Sequence, residues 1–269
     1  MKQFFLTGLF AVAAGFLSFG LQNGQANAQA PQAQANEIKN VAGAAKKSFV
    51  LLELYTSEGC PICPPADALL ARLEREQPFA DTEIVTLALH VDYWNSVSWK
   101  DIYSSPMFSR RQQIYSQALK TGQSYTPQMI VDGHAEFAGN NLAKAQKAIL
   151  EAAKISKAAI EITPQAAGYK IQITGIPAHE NATVFLAITE DNLASNRKSG
   201  LKSNEKVEHI SVVRELKSLG MLAAAQTNLE IETALQIQSI WKKENLKLVV
   251  FVQENASRRI LGANRIKVT

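Results

Sequence analysis

Two cysteines placed close together constrain this chain more than any other feature. Cys60 and Cys63 are the only cysteines in 269 residues. An almost continuous apolar run of strand length, residues 49–55, precedes them, and residues 66–77 carry leucines at helical spacing. A bridge between such near neighbours closes a very short loop and therefore stabilises a fold little. The pair thus indicates chemistry at a strand-to-helix junction rather than a structural staple.

The amino-terminal residues predict export. Lys2 precedes an apolar run, and Ala26-Asn27-Ala28 is a small-x-small cleavage pattern. We interpret residues 1–28 as a signal peptide and residues 29–47 as a disordered leader. The alternative is a retained membrane anchor, since the apolar run is nearly long enough to span a bilayer. We expect an exported protein, periplasmic or secreted, with no stable membrane span after cleavage. Such compartments are oxidising and allow disulfides to form.

The composition limits the classes of protein that the chain can represent. Hydrophobic residues make up 46% and charged residues 19%, which argues against a disordered chain, a coiled coil or a collagen-like fibre. The net charge of +4 is too small for the dense basic surface of a nucleic-acid-binding protein, so we expect no nucleic-acid partner. At roughly 150 residues per domain, the length predicts about two domains.

The pattern of apolar residues predicts an α/β fold in two parts. Residues 48–156 favour the order β-α-β-α-β-β-α, with an insertion at 92–122. From 157 to 269 the alternation favours strands, and we expect a mostly-β, sandwich-like domain there. The predicted helices are 66–77, 105–121 and 141–154. The predicted strands are 49–55, 83–91, 128–131, 136–138, 160–163, 170–174, 184–188, 229–235, 246–252 and 260–266.

The chemistry-bearing residues lie in the run SEGCPICPPAD, residues 57–67. A C-x-x-C between a buried strand and an amphipathic helix is typical of a redox motif. Free N–H groups at a helix amino terminus stabilise a thiolate. Because Cys60 is nearer the strand end and is expected to be the more exposed, we predict Cys60 as the nucleophile and Cys63 as the resolving thiol. Pro64 and Pro65 lack N–H groups, so the helix begins either at Cys60 or at Pro64. The second choice would weaken the activation of Cys60.

Three segments resemble a known family. The runs LLELYTSEGCPICPPADALL, LALHVDYWNSVSWKD and YTPQMIVDG are similar to those of exported proteins grouped as domain of unknown function 1223, over residues 48–265. The resemblance implies a thioredoxin-like fold for residues 48–156. It also implies a cis Pro127 that lines a substrate groove with Thr126 and Tyr125. Glu53 resembles the buried acid that shuttles protons in thioredoxins, although its register differs by one residue.

Sheet geometry adds further candidates. Sites in open α/β sheets gather at the carboxyl ends of parallel strands, where the second predicted strand ends at His90. His90 is either a candidate acid or base or a hydrogen-bonded structural histidine, and Asp92 is the candidate that would orient it. Trp94 and Trp99 belong either to the groove or to the core. Arg110-Arg111 is interpreted as a solvated helix face, with an anion site as the alternative. Three further histidines are interpreted as incidental: His134, His179 and His209.

Three functions follow from these observations. The first is an exported thiol–disulfide oxidoreductase that acts on cysteine-containing proteins or small thiols and needs no cofactor. The second is a copper-binding or copper-delivery protein using Cys60, Cys63 and His90, because two thiolates suit Cu(I). Zinc is disfavoured because four ligands are not in sight. The third is a non-catalytic binding protein that keeps the same scaffold while the β-rich domain carries out the function. The cysteine pair would then be a disulfide without a redox role.

Overall fold

The computed structural model describes residues 47–196 and 206–269. They form a mixed α/β structure with few helices and a large, mostly-β sheet. The signal peptide predicted for residues 1–28 and nearly all of the leader predicted for residues 29–47 lie outside the described residues. Within the described part, no helix combines the length and the apolar character that crossing a bilayer requires.

The described ranges contain three α-helices and thirteen strands. The helices are α1 Pro64–Glu76, α2 Pro106–Ala118 and α3 Leu142–Ala153. The strands are β1 Ser48–Thr56, β2 Thr82–His90, β3 Gln128–Val131, β4 Ala135–Ala138, β5 Ala159–Gln165, β6 Gly168–Thr174, β7 Ala182–Glu190, β8 Leu193–Asn196, β9 Lys206–His209, β10 Val212–Leu222, β11 Leu229–Thr233, β12 Leu246–Glu254 and β13 Ile260–Lys267.

The helix boundaries follow from the residues at their first turns. Helix α1 begins at Pro64, with proline at its first two positions, where a missing N–H group costs no intrahelical bond. Of the two starts considered for this helix, the later one is therefore correct. At α2, Ser105 Oγ accepts a hydrogen bond from the N–H of Met107, and at α3, Asn141 Oδ1 accepts one from Lys144. Both are side-chain caps of the helix amino terminus.

The eight-stranded sheet has the order β13-β12-β7-β10-β2-β1-β3-β4. Strands β1 and β2 are parallel neighbours with Thr56 opposite His90, so their carboxyl ends lie at one edge. Strand β3 runs antiparallel to β1 with Gln128 opposite Tyr55, which brings its first residue to the same edge. The cysteine loop (residues 57–63), the end of β2 and the start of β3 therefore converge there, as sheet geometry predicted.

The two parts predicted from the sequence share this sheet. Strand β10 lies beside β2, with Val212 opposite Ala88, and the N–H of Ala88 donates to the carbonyl of Ser211 at 2.8 Å. Strands β7, β12 and β13 extend the sheet beyond β10, so the boundary placed at residue 156 does not divide the sheet. The described residues belong to a single compact unit.

Strand β10 was not predicted from the sequence. Its run VVRELKSLGML carries charged residues that interrupt the alternation of apolar and polar positions. Its pairing with β7 also shifts register twice, between Val213 and Glu215 and between Ser218 and Gly220. Each shift moves the following side chains relative to the sheet face, so no single period runs through the strand.

A second, three-stranded sheet has the order β11-β6-β5. Its buried side chains belong to one core cluster with buried residues of β7 and β12 in the large sheet. The carboxyl-terminal region is therefore mostly β, with two sheets in contact through an apolar layer. The contributing side chains include Ile160, Ile162, Ile171, Ile173, Leu186, Ile188, Leu248 and Val250.

Strand β1 is buried on both faces, as expected for an interior strand that reads as a continuous apolar run. Val50, Leu52 and Leu54 pack with α1 and α3. Leu51 and Tyr55 point to the opposite face and pack with α2 and with residues of β7, β12 and β13. Because side chains alternate along a strand, Glu53 faces α2 rather than α1.

The Glu53 carboxylate is held by a buried ion pair with α2. Arg111 donates from Nε to Oε2 at 2.6 Å and from Nη2 to Oε1 at 2.9 Å, and the Tyr115 hydroxyl also donates to Oε1. Glu53 is 1% exposed, and the Arg111 side chain is 11% exposed. The interpretation of Arg111 as a solvated residue is therefore wrong, whereas its neighbour Arg110 is exposed. The counter-charge of Arg111 is the carboxylate of Glu53, which lies 58 positions earlier in the chain. The sequence pattern around Arg111 therefore does not reveal it.

Replacing Arg111 with Met is expected to lower the free energy of unfolding by roughly 3–5 kcal/mol, because the Glu53 carboxylate would stay buried without a counter-charge. Urea denaturation followed by circular dichroism measures the loss. The matched control is Arg110→Met on the exposed neighbour, which should change stability by about 0.5 kcal/mol or less. Equal losses in the two variants would contradict the role given to this ion pair.

Candidate functional site

The cysteine loop joins β1 to α1 and carries a disulfide. Cys60 and Cys63 are bonded to each other, and neither has solvent-exposed surface. Cys63 immediately precedes α1, and its carbonyl accepts hydrogen bonds from the N–H groups of Ala66 at 2.8 Å and Asp67 at 3.1 Å. Because prolines occupy the first two helical positions, this helix terminus offers fewer N–H groups to a thiolate than an ordinary one. Cys63, rather than Cys60, is the cysteine at the helix terminus.

Two tryptophans of the predicted insertion, Trp94 and Trp99, cover this loop; we call them the aromatic cover. A Cβ atom at Gly59 would lie 2.9 Å from the Trp99 ring and 3.0 Å from Cβ of Trp94. Only glycine therefore fits beneath the cover. Large apolar side chains of the cysteine loop and of the insertion are exposed to solvent, namely Ile62, Tyr93, Trp94, Val97 and Ile102.

Thr126 and Pro127, the two residues immediately before β3, lie next to the aromatic cover and near α1. The Thr126–Pro127 peptide bond is cis, and the indole Nε1 of Trp94 donates a hydrogen bond to Thr126 Oγ1 at 2.8 Å. Gly139 lies between Pro127 and the first turn of α1. A Cβ atom added to Gly139 would lie 3.3 Å from Cβ of Pro127 and 3.2 Å from Cβ of Ala66. The Tyr125 hydroxyl, in contrast, donates to Glu136 of β4 at 2.8 Å.

His90, at the end of β2, forms a buried ion pair with Asp101. His90 Nδ1 lies 2.8 Å from Asp101 Oδ2, and both side chains are almost completely inaccessible to solvent. The same oxygen accepts hydrogen bonds from the N–H of Glu58 at 2.8 Å and from Ser57 Oγ at 3.2 Å. The N–H of Tyr103 donates to the other oxygen at 2.9 Å. The pair is thereby fixed to the first residues of the cysteine loop.

The contacts within this pair shift the pKa of both partners. Burial alone raises the pKa of Asp101, but His90 and the N–H groups of Glu58 and Tyr103 lower it to about 2. Burial alone lowers the pKa of His90, but Asp101, with Asp67 and Glu58 contributing less, raises it above its ordinary value. His90 therefore keeps its imidazolium form to a higher pH than a free histidine does. Its Nε2 atom is buried and has no hydrogen-bond partner among the described residues.

A second histidine–carboxylate pair lies against the first. His209 Nε2 is 3.1 Å from Glu58 Oε1, and both side chains are buried. The His209 ring centroid is 5.2 Å from that of His90 and 5.6 Å from that of Tyr103. The sequence did not predict a role for Asp101, Glu58 or Tyr103, and the interpretation of His209 as incidental does not account for this contact. No local signal identifies these contacts, because His209 and Glu58 are 151 positions apart.

Two predicted acids lie elsewhere. Asp92 does not orient His90: its carboxylate accepts a hydrogen bond from Ser109 Oγ of α2, and Asp101 takes the place beside His90. Glu53 lies on the face of β1 opposite α1 and is paired with Arg111, so the structure does not bring it together with the cysteine pair. Among the described residues, no three His, Cys, Asp or Glu side chains form a group that could hold a metal ion.

The His90–Asp101 pair should give the protein a pH-dependent stability. The pKa of Asp101 falls from an ordinary 3.8 to about 2, so its contribution is present above about pH 4 and is lost as the pH falls towards 2. The pKa of His90 is raised, so its contribution is complete below its ordinary 6.5 and is lost as the pH rises through the higher folded value. We expect the pair to contribute most between about pH 4 and 6.5.

Asp101→Asn is therefore expected to flatten this profile and to lower stability near pH 5.5 by roughly 3 kcal/mol. Urea unfolding of the purified protein at a series of pH values from 3 to 9 measures both effects. Asp92→Asn is the matched control, because this nearby acid was the other candidate partner of His90. A flattened profile in Asp92→Asn, with an unchanged one in Asp101→Asn, would overturn the assignment.

Two solved structures are similar to this chain. One is a crystal structure of a protein from Agrobacterium tumefaciens, which is 24% identical with a TM-score of 0.69 and covers 84% of this chain and 97% of the other. The second is HBP35 of Porphyromonas gingivalis, which is 17% identical with a TM-score of 0.57 and covers 83% of this chain and 76% of the other. At these identities the similarity shows the fold alone. The comparison with curated proteins gave no match.

The sequence itself matches one family model. The match covers residues 51–253 and therefore includes the cysteine loop, both histidine–carboxylate pairs and the cis proline. The family is described as a protein of unknown function, which agrees with the resemblance of the three sequence segments. The chain belongs to the DUF1223 family.

Proposed function

We propose that this chain is an exported thiol–disulfide oxidoreductase whose amino-terminal half is thioredoxin-like. The observation that carries the proposal is the buried Cys60–Cys63 disulfide in a loop whose first residues, Ser57 and Glu58, are hydrogen-bonded to Asp101 of the buried His90–Asp101 pair. A disulfide across so short a loop contributes little stability. Titratable groups with shifted pKa values, placed next to a reactive group, are typical of sites that carry out chemistry.

The arrangement of strands supports the thioredoxin-like part of the proposal. The order β2-β1-β3-β4, with β1 and β2 parallel and β3 antiparallel to β1, is the one expected of that fold. The cysteine pair between β1 and α1, and the cis Thr126–Pro127 bond immediately before β3, also support this part of the proposal. The strands β10, β7, β12 and β13 are an addition to it on the β2 side.

The oxidised cysteine pair would accept two electrons from a substrate dithiol. One substrate thiolate attacks Cys60, the bond between Cys60 and Cys63 breaks, and Cys63 leaves as a thiolate. The second substrate thiolate attacks the substrate sulfur of this mixed disulfide, and Cys60 leaves as a thiolate. The substrate then holds a disulfide, and the two thiol protons that it has lost pass to the cysteines. The same steps in reverse reduce a substrate disulfide.

In this mechanism, His90 stabilises the negative charge of the cysteine thiolate. Helix α1 begins with two prolines, so its terminus supplies little hydrogen bonding to a thiolate. An imidazolium held by Asp101 provides a positive charge at the same edge of the sheet and lowers the pKa of a nearby thiol. The buried Nε2 of His90 is the atom assigned to exchange a proton with the cysteines once the site opens.

The surroundings of the disulfide favour a cysteine-containing polypeptide over a small thiol as substrate. Exposed apolar side chains flank the cysteines in sequence and lie on the covering segment, with Ile62 at 63% and Ile102 at 73% exposed. Such side chains supply apolar contact area to an extended chain. Since both cysteines are fully buried, the loop or the residues packed against it must move before any substrate sulfur reaches them.

The roles of the two cysteines can be tested by trapping. A Cys63→Ser variant lacks the resolving thiol, so incubation with oxidised glutathione should leave a stable glutathione adduct on Cys60, detected by intact-mass spectrometry. Cys60→Ser should form this adduct at least about tenfold more slowly, because Cys63 is then the only thiol and is not the nucleophile. Equal trapping in the two variants would contradict the assignment of Cys60 as the nucleophile.

Adding Cu(I) to the reduced protein tests the copper alternative. That alternative requires the unchanged chain to bind Cu(I) stoichiometrically and both cysteine variants to lose this binding.

Removing part of the aromatic cover should expose the disulfide. Trp99→Ala is expected to accelerate reduction of the oxidised protein by dithiothreitol by about tenfold, because access limits thiol–disulfide exchange at a buried bond. The rate is followed by quenching with a thiol-alkylating reagent and counting adducts by mass. Val97→Ala is the control on the same segment, since Val97 is fully exposed and covers nothing. An unchanged rate in Trp99→Ala would show that the cover does not control access.

A further inference from the structure

Helix α2 and strands β7 and β10 enclose a cavity of about 230 Å³ that the proposed redox chemistry does not use. None of the described residues that line it belongs to the cysteine loop. The cavity lies on the face of the sheet that carries the Glu53–Arg111 ion pair, and Arg111 forms part of its wall. A ligand bound in this cavity would therefore occupy a site that is separate from the disulfide.

Four cationic side chains line the cavity, Arg110, Arg111, Lys217 and Arg258, and no carboxylate is among the described residues of its wall. The charge of Arg111 is compensated from behind by Glu53, and Lys217 has Glu215 at 3.3 Å. Arg110 is exposed to water. Arg258 is partly buried and has no carboxylate within ion-pair distance among the described residues.

Arg258 is fixed in place although its side chain lacks a counter-ion. Its backbone adopts a left-handed conformation with φ of 66°, its N–H donates to the carbonyl of Glu254 at 3.1 Å, and its carbonyl accepts from Gln253 Nε2 at 2.8 Å. Its Nε atom is buried with no hydrogen-bond partner among the described residues. Burial lowers the pKa of Arg258, and the neighbouring Arg111 also lowers it. A bound anion would relieve both effects.

Apart from Tyr115, Ser218 and Gln253, the rest of the wall is apolar. Met107 and Ile114 of α2 are 45% and 37% exposed, and Phe185 and Leu216 contribute from β7 and β10. An inorganic anion would leave this apolar wall in water, and a neutral apolar molecule would leave Arg258 without a counter-charge. The volume is below the roughly 300–1,000 Å³ of sites for drug-sized ligands, so the ligand is small.

We propose that this cavity binds a small organic monocarboxylate, with its carboxylate against Arg258 and its apolar body between α2 and Phe185. Arginine suits this task because its planar guanidinium donates two parallel hydrogen bonds to a carboxylate. The binding site is separate from the cysteine loop and does not depend on the proposed redox function.

Isothermal titration calorimetry of the purified full chain with octanoate tests the proposal. Octanoate should bind with a one-to-one stoichiometry, whereas octanol and inorganic phosphate should each bind at least about tenfold more weakly, because each lacks one of the two interactions. Arg258→Gln should weaken octanoate binding by at least about tenfold. Arg259→Gln is the matched control and should bind octanoate as the unchanged chain does. Thermal unfolding of each variant, followed by circular dichroism, checks that it is folded.

Three results would overturn the proposal. The first is no heat of binding with millimolar octanoate. The second is equal octanoate affinity in Arg258→Gln and Arg259→Gln. The third is equal affinity of the unchanged chain for octanoate and octanol, which would make the cavity a purely apolar site. If Arg258→Gln does not fold, Met107→Glu at the cavity wall replaces it, and its added negative charge should weaken octanoate binding more than octanol binding.

Discussion

The carboxylate of Asp101 holds together the segments from which the site is built. It pairs with His90 at the end of β2 and accepts hydrogen bonds from Ser57 and Glu58 of the cysteine loop. It belongs to the insertion that also carries the aromatic cover. The cover therefore cannot swing away as a whole without separating Asp101 from His90. Because an ion pair in a water-poor environment is costly to separate, opening must involve the tryptophans locally or admit water to the pair.

The carboxyl-terminal strands take part in the site as well as in the core. His209, at the end of β9, reaches Glu58 of the cysteine loop. On α1, the buried Glu74 carboxylate contacts Lys247 of β12 at 2.6 Å and also contacts Arg265 of β13. The helix that follows the cysteines is thus positioned from both halves of the chain. Arg214 of β10, stacked on the Tyr103 ring at 5.2 Å, adds a further contact to the insertion.

The sequence predicted those parts of the fold whose causes are local. The strands β1, β2 and β3 are short apolar runs, and the start of α3 follows from Asn141, whereas the start of α1 was left open between Cys60 and Pro64. The cysteine pair and the residues at the ends of β1 and β2 could be placed for the same reason. Contacts between distant residues could not be placed: Arg111 looks solvated until Glu53 lies beside it, and Asp101 carries no motif. Strand β10 was not predicted because its charged residues and two register shifts interrupt the alternation of apolar and polar residues.

The shared sheet has a consequence for how the chain can be handled. One face of β1 and β2 is covered by α2 together with side chains of the carboxyl-terminal strands, among them Ala187, Val249 and Phe251. A fragment that ended after α3 would keep the cysteine loop but would bare the apolar residues Leu51, Val85 and Leu87 to water. It would also leave the outer edge of β2 without β10. Exposed apolar faces and unprotected strand edges associate with other chains, so such a fragment would aggregate rather than behave as a small soluble redox module.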